Sequence, residues 1–179
     1  RSCLVGSEMC IRDRHTASML LDLGVKSCII GHSESRSLLK EEDHQIFEKF
    51  QKLNNKKIRP IVCIGEPLEI RESNKVKDYI KNQTKKFHDF EGEIIFGYEP
   101  LWAIGSGKVP KLDEIKDVSN IIKEFCGENK KILYGGSINS NNSKDILELN
   151  EIDGALVGGA SLNPKAVSYT HLRAHETRP

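Results

Sequence analysis

The sequence predicts an α/β protein built on a parallel sheet, and three observations carry that prediction. Apolar runs of strand length alternate with stretches whose apolar residues recur at helical spacing. The residues with chemical potential fall just after the strand-length runs, which puts them on one face of a parallel sheet. Finally, 179 residues at 37% hydrophobic content supply one ordinary core.

The elements follow in order. HTASMLLDLG has the spacing of a helix end and closes on Gly24; a β-rich run over 25–30 follows, before a polar break at Gly31. EEDHQIFEKFQKLNN sets Ile46, Phe47, Phe50 and Leu53 on one helical face, ahead of a buried strand over 58–64 that stops at Gly65. The charged stretch 73–88 reads as helix and 93–98 as strand. Leu112, Ile115, Val118, Ile121, Ile122 and Phe125 form the apolar stripe of a helix over 111–126. A strand over 131–134, a short helix near 142–149 and a strand over 154–157 complete five strands separated by helices. Such strands pair in parallel through right-handed crossovers. An open doubly wound sheet and a closed barrel share this unit, and periodicity leaves both open.

Composition narrows the classes of function. Twenty-seven Lys and Arg against 26 Asp and Glu, a formal charge of +1, give no single-signed surface for nucleic acid or an anionic membrane, which leaves a small partner. No apolar run approaches the roughly 18 to 20 residues that span a bilayer, and residues 1–14 lack the apolar stretch of a secretory signal. Cys3, Cys10, Cys28, Cys63 and Cys126 are odd in number, widely spread and contain no C-x-x-C pair. They read as free thiols of a reducing cytoplasm, not as a disulfide framework or zinc site. The sequence predicts a soluble, cytoplasmic protein.

Five motifs follow the strands: Gly31-His32-Ser33-Glu34, Cys63-Ile64-Gly65-Glu66, Tyr98-Glu99-Pro100, Tyr134-Gly135-Gly136-Ser137 and Val157-Gly158-Gly159-Ala160. Glycines ending strands would explain any one of them; five loops on one face point to a site. The two double-glycine turns suggest a phosphate cradle, because glycine lets backbone N–H groups approach an anion closely. PLWAIGSGKVP has a small, pliant centre bracketed by Pro100 with Trp102 and Lys108 with Pro110, the make-up of a lid with two hinges. A nucleotide P-loop is excluded there, since Trp102 stands where its first Gly belongs and Val109 replaces its Ser or Thr. Glu99 stands at the foot of the lid, where closure would strip water from the carboxylate and make it a stronger base. His32, on the same face, is a candidate proton-transfer partner.

VKSCIIGHSESR, IVCIGE, FGYEPLWAIGSGK, ILYGGS and DGALVGGASL resemble successive motifs of the triosephosphate isomerase family, in order and spacing, over residues 15–167. The resemblance implies a (β/α)8 barrel retaining strands four to eight, and interconversion of dihydroxyacetone phosphate and glyceraldehyde 3-phosphate through an enediolate, with no metal and no cofactor. Glu99 would move the proton between carbons. His32 would polarise the carbonyl as a neutral imidazole, the role long assigned to the matching histidine of that family, and Glu34 would be a supporting polar group. Backbone N–H groups of Gly105, Ser137, Gly158 and Gly159 would hold the phosphate. Lid closure would bring Ile104 and Leu156 over Glu99, move Trp102 from a partner near Tyr98 to Glu66, and carry the Ser137 hydroxyl to Gly107. Cys63 matches a family cysteine and reads as packing beside the base. The family is homodimeric.

Several features depart from that pattern. Pro110 stands where a backbone N–H would meet the tyrosine matching Tyr134, and proline has no N–H. Ser35-Arg36 replaces a double arginine, with Glu41 a possible partner of Arg36. A complete barrel needs about 250 residues and eight strands; strands one to three, with the family's Asn and Lys and its dimer-building third loop, have no counterpart here. Residues 1–14 and 168–179 resemble translated adapter sequence and are expected to lie outside the fold of 15–167. His171 and His175 have a metal-like i, i+4 spacing but lack the glutamate that belongs after the first His. The expectation is an isomerase chain with little activity alone; the competing reading is a non-catalytic phospholigand-binding barrel fragment.

Overall fold

A computed structural model of the chain describes residues 15–162; Cys3, Cys10, His171, His175 and both adapter-like ends lie outside the described residues. The chain divides into two compact units, one running through Val62 and the other starting at Cys63.

In the first unit, α1 (Ala17–Asp22) begins at Thr16, whose hydroxyl accepts the Met19 N–H at 3.2 Å. It ends in a Schellman turn: Val25 N–H donates to Leu20 O, Gly24 N–H to Leu21 O, and Gly24 takes φ +73°. β1 (Ser27–Ile30) starts two residues later than expected. α2 (Ser33–Leu38), with His32 as N-cap, was not expected at all, because SESRSL carries no apolar period. α3 (Asp43–Asn55) buries Ile46, Phe50 and Leu53 as its spacing predicts, while Phe47 is half-buried. Gln45 reaches back to the Glu42 N–H at 3.0 Å, one half of a capping box. β2 (Arg59–Ile64), whose last two residues belong to the second unit, pairs parallel with β1, Ser27 opposite Arg59 and Ile30 opposite Val62.

In the second unit the predicted helix over 73–88 is present but shorter, and a separate helix that was not predicted stands before it. α4 (Leu68–Glu72) precedes it and α5 (Val76–Thr84) runs on as a 3-10 turn over Lys85–Phe87. The break falls at Asn74, which takes φ +56°. β3 (Ile95–Tyr98) is wholly buried, as expected of a strand covered on both faces. A 3-10 turn over Leu101–Ala103 follows it. α6 (Leu112–Cys126) packs on α5 and buries Ile115, Val118 and Ile122; Leu112, assigned to the stripe from sequence, is exposed because it opens the first turn. β4 (Lys131–Tyr134) matches its predicted span, and α7 (Ser143–Leu147) and β5 (Gly154–Ala155) are shorter than predicted. A last 3-10 turn covers Gly159–Leu162.

β3 and β4 pair parallel, Tyr98 opposite Tyr134, as do β4 and β5, Tyr134 opposite Ala155. The sheet order β1-β2-β3-β4-β5 follows the chain. The class is α/β with a parallel five-stranded sheet. Among the described residues no helix is long and apolar enough to cross a membrane.

Candidate active site

In the first unit the segment after β1 turns at Gly31, φ +68°, where a Cβ would stand 2.9 Å from the Ile46 side chain, so only glycine fits. Its carbonyl accepts Arg36 Nε at 2.8 Å, and Arg36 Nη1 pairs with Asp43 at 2.6 Å. Glu41 is buried and pairs with Lys49. His32, capping α2, accepts the Glu34 backbone N–H on Nδ1 at 3.3 Å. A neutral imidazole that accepts on Nδ1 carries its hydrogen on Nε2, which makes that nitrogen a donor. The Glu34 side chain, expected as catalytic support, is exposed.

In the second unit the strand ends are knitted around Glu99, which is 3% exposed. Its N–H donates to Ile64 O at 2.7 Å, and Gly135 N–H donates to Tyr98 O at 2.7 Å. A Cβ on Gly65 would collide with the Glu99 carbonyl, and one on Gly135 would lie 2.9 Å from Glu99 Cγ. Gly65 therefore leaves room for the Glu99 backbone and Gly135 for its buried side chain. Gly136 is equally constrained, its Cβ position taken by the Tyr134 ring. Packing therefore accounts for the first glycine pair. Gly158 and Gly159 are exposed, a Cβ on either would meet nothing within 4 Å, and the Gly158 carbonyl accepts the Ser161 N–H at 2.8 Å and the Ser161 hydroxyl at 2.6 Å.

A family model, triosephosphate isomerase, matches residues 14–172, a stretch that contains these strand-end glycines, the buried glutamate and the segment 100–110 after it. The chain belongs to the triosephosphate isomerase family. It is 45% identical over 154 residues to the triosephosphate isomerase of Mycoplasma mobile (strain ATCC 43663 / 163K / NCTC 11711), covering 84% of this chain and 63% of that one. To that of Francisella tularensis subsp. novicida (strain U112) it is 40% identical over 169 residues, 88% of this chain and 66% of the relative. The chain thus spans just under two thirds of the length of these triosephosphate isomerases.

The lid segment has its own order. Trp102 Nε1 donates to Glu66 Oε1 at 3.0 Å, the contact that the family resemblance assigns to a closed lid. The Ser137 hydroxyl, expected at Gly107, instead donates to Ala103 O at 2.5 Å, nearer the first hinge. Ser106 Oγ donates to Trp102 O at 3.0 Å and accepts Lys108 N–H at 3.2 Å, tying the tip between Gly105 and Gly107, both at positive φ. Ile104 is half-buried. Leu156 and Cys63 flank Gly97 of β3, where a Cβ would meet Leu156 Cδ1 at 2.9 Å and Cys63 Sγ at 3.2 Å; Cys63 is buried. The Tyr134 hydroxyl is buried with no hydrogen-bond partner.

Glu66 is 0% exposed, and its Oε1 also accepts Arg71 Nε at 3.0 Å, Arg71 Nη2 at 2.5 Å and the Tyr98 hydroxyl at 3.2 Å. Burial first, then the Glu66 charge, raises Tyr98 well above the ordinary tyrosine value; Arg71 is raised despite burial because Tyr98 and Glu66 favour its charge. Sequence reasoning did not single out Arg71. Its only sequence signal is an arginine five residues after the strand-end glutamate.

Proposed function

We propose that the protein to which this chain belongs is an isomerase of triose phosphates, interconverting dihydroxyacetone phosphate and D-glyceraldehyde 3-phosphate by proton transfer through an enediolate. The observation that carries this reading is the buried Glu99, given room by Gly65 and Gly135, at the foot of the lid. Glu99 removes a proton from the carbon beside the carbonyl and returns it to the neighbouring carbon. His32 donates from Nε2 to the carbonyl oxygen as negative charge develops there. Glu34 supports it from the first turn of α2. The phosphate rests on the N–H groups of Gly105, Ser137, Gly158 and Gly159, and Trp102, Ile104 and Leu156 form the lid and its apolar clamp over Glu99. Excluding water favours isomerisation over loss of phosphate from the intermediate. That the relatives are triosephosphate isomerases supports the same reaction.

In this reading the five strands are the fourth to eighth of a (β/α)8 barrel, residues 15–167 are its domain, and the parent enzyme is a cytoplasmic homodimer of glycolysis and gluconeogenesis. The 179 residues alone turn over little substrate, since no lysine here matches the family's first-strand lysine. Residues 15–167 are expressed and assayed: turnover near that of a full-length relative would defeat this point. The site assignment is tested in a chimera, with 15–162 replacing the corresponding stretch of the Mycoplasma mobile relative. The chimera is expected to be active, and Glu99→Asp, which withdraws the carboxylate by about 1 Å, to lower kcat about 100-fold with KM little changed. An unchanged kcat removes Glu99 from the role of base.

A further inference from the structure

We propose that Arg71 is the positioning residue of the lid's first hinge, holding Trp102 through Glu66. The inference rests on the lid reading above and adds to it an element, α4, that the site does not otherwise use.

The geometry is one-sided. Two nitrogens of Arg71, the Tyr98 hydroxyl and the Trp102 indole all donate to Oε1 of Glu66, while Oε2 is buried with no hydrogen-bond partner. The orientation of the carboxylate therefore depends on what holds Oε1. The Arg71 fork supplies the positive charge there, and the same guanidinium donates to the Tyr98 hydroxyl at 2.9 Å, fixing the second donor. Arg71 also places its guanidinium carbon 5.9 Å from the Trp102 ring centroid, within cation–π range. The indole is gripped at its N–H edge by Glu66 and at its face by the residue that orients Glu66. Leu101 N–H on the Glu66 carbonyl at 3.1 Å ties the hinge backbone to the same residue. A buried carboxylate stripped of its cation turns towards water, and the indole then loses both grips.

Trp102 is the sole tryptophan, so its fluorescence reports this hinge alone. In the ligand-free chain, Arg71→Met is expected to move the emission to longer wavelength and increase acrylamide quenching while the far-UV circular dichroism stays native. Arg71→Lys is expected to fall between, because lysine keeps the charge but loses the fork and the flat face. A folded Arg71→Met with wild-type emission and quenching, changed only in melting temperature, overturns the proposal. Should that variant not fold, an Arg71→Lys indistinguishable from wild type overturns it. Titration with inorganic phosphate separates this inference from the function it rests on. A wild-type emission that ignores phosphate counts against the lid reading, and the ligand-free comparison still decides the role of Arg71. A phosphate Kd raised about fivefold or more in Arg71→Met supports the hinge, at the low end of ordinary coupling between sites.

Discussion

Two tyrosines show how far identical residues diverge when their surroundings differ. Tyr98 and Tyr134 face each other in the β3–β4 register, their rings edge-on at 6.4 Å, and both are fully buried. The Tyr98 hydroxyl is bonded to Glu66 and Arg71; that of Tyr134 has no partner, and Pro110, at the position the family resemblance pairs with it, has no N–H to give. Removing an unsatisfied buried hydroxyl relieves a desolvation penalty, so Tyr134→Phe is expected to be neutral or stabilising by up to about 1 kcal/mol. Tyr98→Phe takes a donor from a buried carboxylate and should destabilise by about 1–3 kcal/mol. Urea denaturation of the two variants measures both. Burial holds both phenols above the ordinary value of 10.0, with the Glu66 charge adding to the effect at Tyr98. The folded chain keeps protons that the unfolded chain releases, so this stability is present in full below about pH 10 and is lost as pH rises above it. An ultraviolet titration should find at least two of the four tyrosines ionising late.

Helix ends govern the next scale. Three helices close in the same turn: α1 at Gly24, α3 at Lys57 and α4 at Asn74, with φ of +73°, +58° and +56°. In each, the residue after the turn donates back five positions, Val25 to Leu20, Ile58 to Leu53 and Lys75 to Ile70. Glycine adopts this conformation freely, asparagine at some cost and lysine against its Cβ. Gly24 has nothing within 4 Å of its would-be Cβ, so Gly24→Ala is a purely conformational loss of about 1 kcal/mol. Lys57→Gly removes strain of the same origin and should stabilise by about 0.5–1 kcal/mol, net of glycine's greater unfolded freedom. Thermal melts of opposite sign are the expected result. The same three sites explain what was legible in the sequence. Gly24 announces its turn, so the α1 end was readable. Asn74 announces it weakly, and the charged run around it was taken for one helix. The missed α2 owes its start to a histidine cap, and a two-strand-residue β5 carries too little pattern to fix its end.

At the scale of the whole molecule, the strand-end motifs were readable because parallel βαβ topology delivers every one of them to the same kind of position, whatever lies between. Arg71 was not readable, because its meaning depends on Glu66, Tyr98 and Trp102 converging from three separate loops and strands. The sequence showed that Gly135 and Gly136 follow a strand, but not that their missing Cβ atoms leave room for Glu99 and for the Tyr134 ring, since those neighbours come together only in the fold. Topology also fixes a liability. β1 stands at one end of the sheet order, and Ile29 in it is 47% exposed, although a strand of a parallel sheet is ordinarily covered on both faces. Leu38 and Leu39, at 76% and 58% exposed, add apolar surface in the same unit. An uncharged apolar end strand is a template for further strand pairing, and natural sheets protect such edges with lysine. The chain should therefore self-associate as its concentration rises. Ile29→Lys should lower static light scattering at a given concentration with little change in melting temperature, since a side chain already half in water loses little burial. Scattering equal to wild type would mean that association, if it occurs, uses another surface.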